Sequence, residues 1–240
     1  MLLGTTLILL AALLYSSVGH AGASGYLAVM ALLGMAPAEM RPTALLLNLV
    51  VATIGSRAFI GAGHFRWSLL WPLVVTSVPM AYLGGRLALP VTVYRGVVGV
   101  VLVLSAIRFL VTLRAPDEPR GEPPRAVALL AGALLGLLAG LTGVGGGIFL
   151  SPLLLLMGWA TLRTTAATSV VFILANSAAG LLGQLGTLDA LPDTLWPWAG
   201  AALAGGSIGS WLGARRLPGP ALRALLAAVL LLAGVKLVLT

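Results

Sequence analysis

Gly140-Leu-Thr-Gly-Val-Gly-Gly-Gly-Ile-Phe-Leu-Ser-Pro-Leu-Leu154 interrupts an otherwise oily run with a threonine and with glycines at 143, 145, 146 and 147. A glycine inside a helix costs about 1 kcal/mol relative to alanine, so a cluster of them marks a place where the helix stops. In a bilayer the freed backbone groups must be buried in protein or line a polar cavity, because hydrocarbon offers them no partner. A short apolar segment follows and ends near Trp159. A fainter copy of the same stretch, Gly19-His-Ala-Gly-Ala-Ser-Gly-Tyr26, lies near the N-terminus.

The setting of these breaks follows from composition. Of 240 residues 60% are hydrophobic and 8% charged, which is more apolar surface than a soluble domain of this size can bury. Strand alternation is absent, which excludes a barrel, so the expected class is an all-α polytopic membrane protein. The net charge of +8 comes from arginines scattered at the ends of apolar runs. That distribution fits topology signals and lipid headgroups, not nucleic acid. The chain has no cysteine, which excludes thiol catalysis, cysteine-based metal sites and disulfides. Leu2–Leu14 followed by Ala21-Gly22-Ala23 resembles a signal peptide with its cleavage site, but no basic stretch precedes it. The segment also has a counterpart later in the chain, so it is read as part of the membrane domain.

Apolar runs fall at about 2–17, 25–36, 43–62, 68–88 and 93–113, and recur at about 126–141, 147–158, 164–184, 195–214 and 221–239. Between the two sets lies a proline- and charge-rich linker, 114–125, read as a solvated loop. The chain divides into a first membrane repeat (1–113), this linker, and a second repeat (126–240). A shift of 122 residues places Gly25 on Gly147, Arg41 on Arg163 and Thr43 on Thr165. The second run of each half is too short to cross, since ~20 helical residues are needed for ~30 Å of hydrocarbon. Each half therefore reads as a broken-helix pair that returns to its starting side, followed by three full spans. An odd number of crossings per half makes the repeats inverted. With the linker in the cytoplasm, Arg66, Arg114, Arg120, Arg125, Arg163, Arg215, Arg216 and Arg223 fall inside, whereas Arg41, Arg86, Arg95 and Lys236 fall outside. The positive-inside bias favours that orientation.

Short half-helices in corresponding positions of inverted halves point to a transporter's binding site. In this reading Gly25 and Gly147 open the short helices, whose N-termini carry partial positive charge and free N–H groups. Two such ends facing one another bind an anion without lysine or arginine, and bare glycine backbone admits close approach. Gly143, Gly145, Gly146 and Gly147 are assigned to this site. The scattered Gly132, Gly136, Gly205 and Gly206 are instead assigned to tight helix crossing.

Gly140-x-x-Gly-x-Gly-Gly-Gly-x-x-x-x-Pro152-x-Leu154, followed by a short helix and Arg163-x-Thr-Ala-x-x-Thr-Ser, resembles the signature of the TauE/SafE sulfite exporter family. The duplicated layout and mid-chain linker are similar across the whole chain. The resemblance implies a bacterial inner-membrane permease for a small sulfur-containing anion such as sulfite or an organosulfonate. The first half departs from the pattern: Gly22-Ala-Ser-Gly25 replaces the glycine run and Met30 stands where Pro152 would be.

Other polar residues in the apolar runs complete the candidate set. Asn48, Thr168, Ser169 and Asn176, with Ser177 and Gln184, fall on the third span of each half; each either lines the path or joins helices. His20 and Ser24 sit at the first break, and His20 is the titratable residue placed there. Arg41 and Arg163 read as interfacial, with Glu39 placed to pair with Arg41. All six acids, Glu39, Asp117, Glu118, Glu122, Asp189 and Asp193, lie outside the apolar runs. No carboxylate relay or sodium site is therefore expected, and no cofactor or metal. An exported anion needs neither, because the membrane potential gives about 2.3 kcal/mol per charge per 100 mV. Two rivals differ in class. A passive anion or small-solute channel shares this scaffold. An intramembrane serine protease would use Ser24 of Gly22-Ala-Ser-Gly25 with a histidine, on a weak four-residue signal. The glycine run lacks the Lys-Ser/Thr of a nucleotide-binding loop.

Overall fold

In the computed structural model residues 2–87, 89–111, 121–186, 191–215 and 231 are described. Among them the fold is all helix: α1 (Leu2–Ser16), α2 (Ala23–Leu32), α3 (Pro37–Gly61), α4 (Trp67–Arg86), α5 (Val91–Val111), α6 (Arg125–Thr142), α7 (Gly147–Leu156), α8 (Leu162–Gly183) and α9 (Leu195–Arg215). By length and composition α3, α4, α6 and α8 suffice to cross a membrane. The tenth apolar run, 221–239, lies outside the described residues except for Leu231, as does most of the linker.

Both short helices are 10 residues long, about 15 Å at 1.5 Å per residue and half a bilayer core. Each begins at a glycine in the left-handed region, Gly22 at φ 110° and Gly146 at φ 84°, a backbone that side-chain-bearing residues rarely adopt. The helix therefore opens at Gly22, and Gly25 is the third residue of α2. This corrects the register. Gly19, Gly22 and Gly34, all of positive φ, recur as Gly143, Gly146 and Gly158, a spacing of 124 and not 122. The residue-type matches that suggested 122, Gly25 on Gly147, Arg41 on Arg163 and Thr43 on Thr165, carry less information than backbone positions which demand glycine.

In the first half the short helix folds back beside the one before it. A methyl group on Gly4, near the start of α1, would sit 3.1 Å from Leu33 Cδ1, just past the end of α2. One on Gly25 would meet Tyr15 and Ala11 of α1. In the second half Ala128 near the start of α6 shares a buried cluster with Leu150, Leu154 and Trp159, from α7 and the turn after it.

The halves are knitted together by glycine stripes. Gly132, Gly136 and Gly140 of α6 press on the carbonyls of Leu73, Ser77 and Ala81 of α4, while Gly205, Gly209 and Gly213 press on those of Leu9, Leu13 and Ser17, from α1 and its end. Four-residue spacing keeps each stripe on one helix face, and rising numbers on both sides make each pair parallel. These are the two most extensive helix packings, joined by α3 on α8, α4 on α8 and α3 on α9. Small residues let backbones approach where lipid supplies no hydrophobic drive. Gly206 packs likewise against Val51 of α3, so all four scattered glycines serve crossing.

One face is fixed by polar contacts. Arg66 Nη2 lies 2.6 Å from Glu122 Oε1 and Ser68 Oγ 3.0 Å from it, so the α3–α4 turn and the end of the linker share a side. Arg57, exposed one turn before the end of α3, adds a cation to that side which the arginine count above left out.

Substituting Gly136 by alanine places a methyl into the Ser77 backbone, whereas Gly200 has open space around its would-be Cβ. Overpacking of this kind costs about 1–3 kcal/mol. Gly136→Ala should lower the melting temperature of the detergent-purified protein, and Gly200→Ala should leave it unchanged or raised, as read by tryptophan fluorescence.

Candidate functional site

The two breaks meet. His20, in the first, brings Nε2 to 3.2 Å from the carbonyl oxygen of Gly147, the first residue of α7. The same nitrogen lies 3.1 Å from Ser151 Oγ, which donates to the Gly147 carbonyl at 3.0 Å and lies 2.7 Å from Ser169 Oγ on α8. From α3, Asn48 Nδ2 donates to Val144 O in the second break at 3.3 Å and to Ser177 Oγ at 3.2 Å. His20, Asn48, Ser151, Ser169 and Ser177 are all buried. Two buried polar networks, one around His20 and Ser151 and one around Asn48, thus tie elements of both halves together at the glycine turn.

Each break also packs on the third helix of the opposite half. A Cβ on Gly19 would meet the Ala166 backbone, and one on Gly143 would lie 3.2 Å from Arg41 Cα and O. Arg41 is the fifth residue of α3 and Ala166 the fifth of α8, so the two contacts occupy equivalent positions. The equivalence extends to the backbone but not to the side chain.

Gly145, Gly146 and Gly147 are covered. Would-be methyls there meet Asn48 Nδ2 and Ser177 Oγ at 2.7 Å, Phe172 Cε1 at 2.8 Å, and the end of Ile173, respectively. The expectation of bare glycine backbone open to a ligand is therefore corrected: α3 and α8 close over the turn. Gly25 is also reassigned, since Tyr15 and Ala11 fill its approach and it serves the α1–α2 crossing. Ser24 is buried in the first turn of α2. His20 turns Nε2 toward α7, so the geometry pairs it with Ser151.

Buried polar groups run along both third helices, Thr43 and Asn48 on α3 and Thr165, Thr168, Ser169, Asn176 and Ser177 on α8, to form a polar seam. The two helices lie antiparallel, with Asn48 beside Ser177, Leu45 by Gly180 and Val170 by Gly55. Asn176 Nδ2 donates to Phe172 O at 2.8 Å within its own helix. Asn48 Oδ1, Asn176 Oδ1, Thr43 Oγ1, Thr165 Oγ1 and Thr168 Oγ1 are buried without a protein hydrogen-bond partner. Each such group costs about 1–3 kcal/mol in a protein interior. Five along one helix pair is a large concentration for an otherwise apolar molecule.

Sequence reasoning missed two residues. Ser151 lies one turn after Gly147 on the same face of α7, and that i+4 spacing was there to be read. Arg41 was placed at the interface because the apolar run was started at residue 43, whereas α3 begins at Pro37. Pro at N1 is preorganised for a helix start. Arg41 is in fact buried, with Nη1 donating to Leu87 O at 3.1 Å and Nη2 to Gly84 O at 3.1 Å, Gly85 O at 3.3 Å and Gly140 O at 2.9 Å. Four carbonyls at the ends of α4 and α6 hold it. It does not pair with Glu39; among the described residues the ion pair present is Arg66–Glu122. Arg163, the second residue of α8, is exposed.

Residues 5–237 match the family described as "Sulfite exporter TauE/SafE". The chain is 43% identical over 231 residues to the "Probable membrane transporter protein y4hK" of Sinorhizobium fredii (strain NBRC 101917 / NGR234), an alignment covering 94% of this chain and 93% of that protein. No solved structure matches.

Replacing His20 and Ser151 by alanine, singly and together, tests the junction of the breaks. Residues sharing a hydrogen-bond network couple by about 0.5–3 kcal/mol. The double variant should therefore be less destabilised than the sum of the singles in reversible detergent unfolding. Additive effects would mean the two side chains do not interact.

Proposed function

Because the chain belongs to the TauE/SafE sulfite exporter family and is a multi-pass membrane transporter, not an enzyme, we propose that it moves a small sulfur oxyanion, sulfite or an organosulfonate, across the bacterial inner membrane along the seam between α3 and α8. The observation that carries this reading is the contact of His20 with Gly147 and Ser151: both mid-membrane breaks converge on one buried polar cluster. In this reading residues 1–113 and 126–240 form two repeats of inverted orientation around the 114–125 linker. The support is the 124-residue recurrence of the left-handed glycines and the exchange by which each break packs on the opposite third helix.

The turn is closed over by Asn48, Phe172, Ile173 and Ser177, so the conformation corresponds to an occluded resting state. Opening requires α3 and α8 to separate at the glycine turn. That exposes the N-terminal N–H groups of α7 together with the hydroxyls of Thr168 and Ser169 and the amides of Asn48 and Asn176. The N–H groups, the Thr168 and Ser169 hydroxyls and the Asn48 Nδ2 freed from Val144 and Ser177 are donors to an anion, whereas Asn176 keeps its Nδ2 on Phe172 O and offers only an acceptor oxygen to water. A buried hydroxyl left without a partner is weak design for stability. It is intelligible where a passing substrate takes the bond, because functional sites are where local rules are broken.

No acid lies in the interior of an apolar run, so coupling to a proton through a carboxylate is not built in. Export down the electrical gradient needs no such group, and about 2.3 kcal/mol per charge per 100 mV is available. His20 is the residue placed to carry a proton if one accompanies the anion.

Thr168→Val separates transport from folding. It removes a buried hydroxyl with no partner while keeping the side-chain shape. Thermal stability should be unchanged or raised, while sulfite flux in proteoliposomes drops about tenfold or more, the equivalent of one lost charge-assisted hydrogen bond. Wild-type flux in this variant would remove the seam as the path. Wild-type flux should also follow an imposed potassium-diffusion potential and vanish when that potential is zero at equal sulfite concentrations. Transport that persists there on a proton or sodium gradient would overturn the potential-driven form.

A further inference from the structure

On the face opposite the Arg66–Glu122 pair, the start of α3, the end of α4, the start of α5 and the end of α8 enclose a cleft of about 400 Å³. At ~30 Å³ per water it holds roughly a dozen waters, ample for a hydrated oxyanion. Arg41 and Arg86 both line it, with Tyr94, Gln184, Gly85 and Gly186, and no acidic side chain is among its described lining residues.

The chemistry of the two arginines differs. Arg41 is buried, and its guanidinium is satisfied on the Nη side by carbonyls alone. Carbonyl dipoles at helix C-termini stabilise a cation, and among the described residues no carboxylate pairs with it. Its Nε is buried and has no hydrogen-bond partner. Tyr94 lies beside it, ring centroid 6.0 Å from Cζ, and donates its hydroxyl to Thr142 O at 3.2 Å, so it adds no negative charge. Arg86 is exposed at the mouth, its Cζ 5.7 Å over the Tyr82 ring. A guanidinium fork suits planar bidentate contact with an oxyanion.

We propose that this cleft is a second anion site, outside the seam, which takes an oxyanion of the sulfite or sulfonate class on the Arg86 fork under the buried charge of Arg41. The identity of the ligand rests on the transport reading; the existence of an anion site does not. The position fits a vestibule. Arg41 borders the cleft and also holds Gly140 O while the Gly143 turn packs on its backbone. One residue therefore touches both the vestibule and the break.

The test uses the full chain in detergent, on the Thr168→Val background so that the seam contributes least, titrated calorimetrically with sodium sulfite and sodium sulfate. Dimethyl sulfone serves as the neutral control. Arg86→Gln should weaken oxyanion binding about tenfold, the loss expected for one charge-assisted contact. Gly186 has open space around its would-be Cβ, so Gly186→Trp should fill the cleft and abolish that binding with the ligand-free melting temperature unchanged. Oxyanion binding equal to the parent in both variants, or equal binding of dimethyl sulfone, overturns the proposal. Arg86-dependent binding in a protein whose wild type moves no sulfite upholds the cleft and sinks the transport reading. Unaltered binding in both variants of a protein that does move sulfite does the reverse.

Discussion

A peptide group in hydrocarbon has no solvent to fall back on, and that constraint orders the whole molecule. Two helices are broken mid-span, at Gly19–Gly22 and at Gly143–Gly146, and each break frees backbone groups that water cannot reach. The chain answers by covering each break with the other half. Ala166 of α8 lies on Gly19, and Arg41 and Asn48 of α3 lie on Gly143 and Gly145. Each break is closed by both halves, since Phe172, Ile173 and Ser177 cover Gly145–Gly147 from within the second half and Tyr26 covers Gly22 from within the first. The glycine stripes of α6 on α4 and α9 on α1 follow from the same need, since α3 and α8 reach the breaks only if the outer helices come together at backbone distance.

The two-fold arrangement of backbone is not matched by the side chains, and the mismatch has a direction. The position that holds Arg41 in one half holds Ala166 in the other. Arginine there gathers carbonyls from the ends of α4 and α6 and borders an aqueous cleft; alanine only packs. A buried arginine therefore borders one mouth of the molecule and has no counterpart at the equivalent position of the other. In the proposed transport reading, Arg41 distinguishes the two ends of an anion's path even where the scaffold between them is symmetric. Electrostatic attraction of this kind acts mainly on encounter rates, so its effect is felt at entry or release and not in the seam.

Much of this was legible in the sequence. Composition dictated membrane helices, the glycine run located the second break, and the short runs 25–36 and 147–158 gave the half-helices that appear as α2 and α7. The family was readable from the same glycine run. What failed was register and boundary. Residue-type matches such as Arg41 on Arg163 and Thr43 on Thr165 suggested Gly25 against Gly147, whereas the backbone pairs Gly22 with Gly146, because a left-handed cap demands glycine and identity at other positions does not. Arg41 was put at an interface because hydropathy windows end at charges; a charge buried against helix-end carbonyls looks identical in sequence to one at a headgroup. Ser151 was passed over as one more small residue in an apolar run, although its spacing from Gly147 placed it on the face of the break. That Phe172 and Ile173 close over the glycines is a three-dimensional fact with no local signature.

The closed seam also explains how so many unpaired polar groups persist at α3 and α8. Replacing Thr43, Thr165 and Thr168 by valine would remove their desolvation penalty and tighten the helix pair, so stability alone argues for valine. A seam built that way would hold the halves shut. In the proposed transport reading, polar groups with missing partners make the closed state less deep: once the helices part the threonine hydroxyls can donate to water or an anion and the asparagine oxygens can accept from water, which narrows the gap between closed and open states. Asn48 carries this logic furthest. Its Nδ2 grips both the break and α8 while its Oδ1 has no partner, so the side chain that latches the turn is also the one with most to gain when the latch opens.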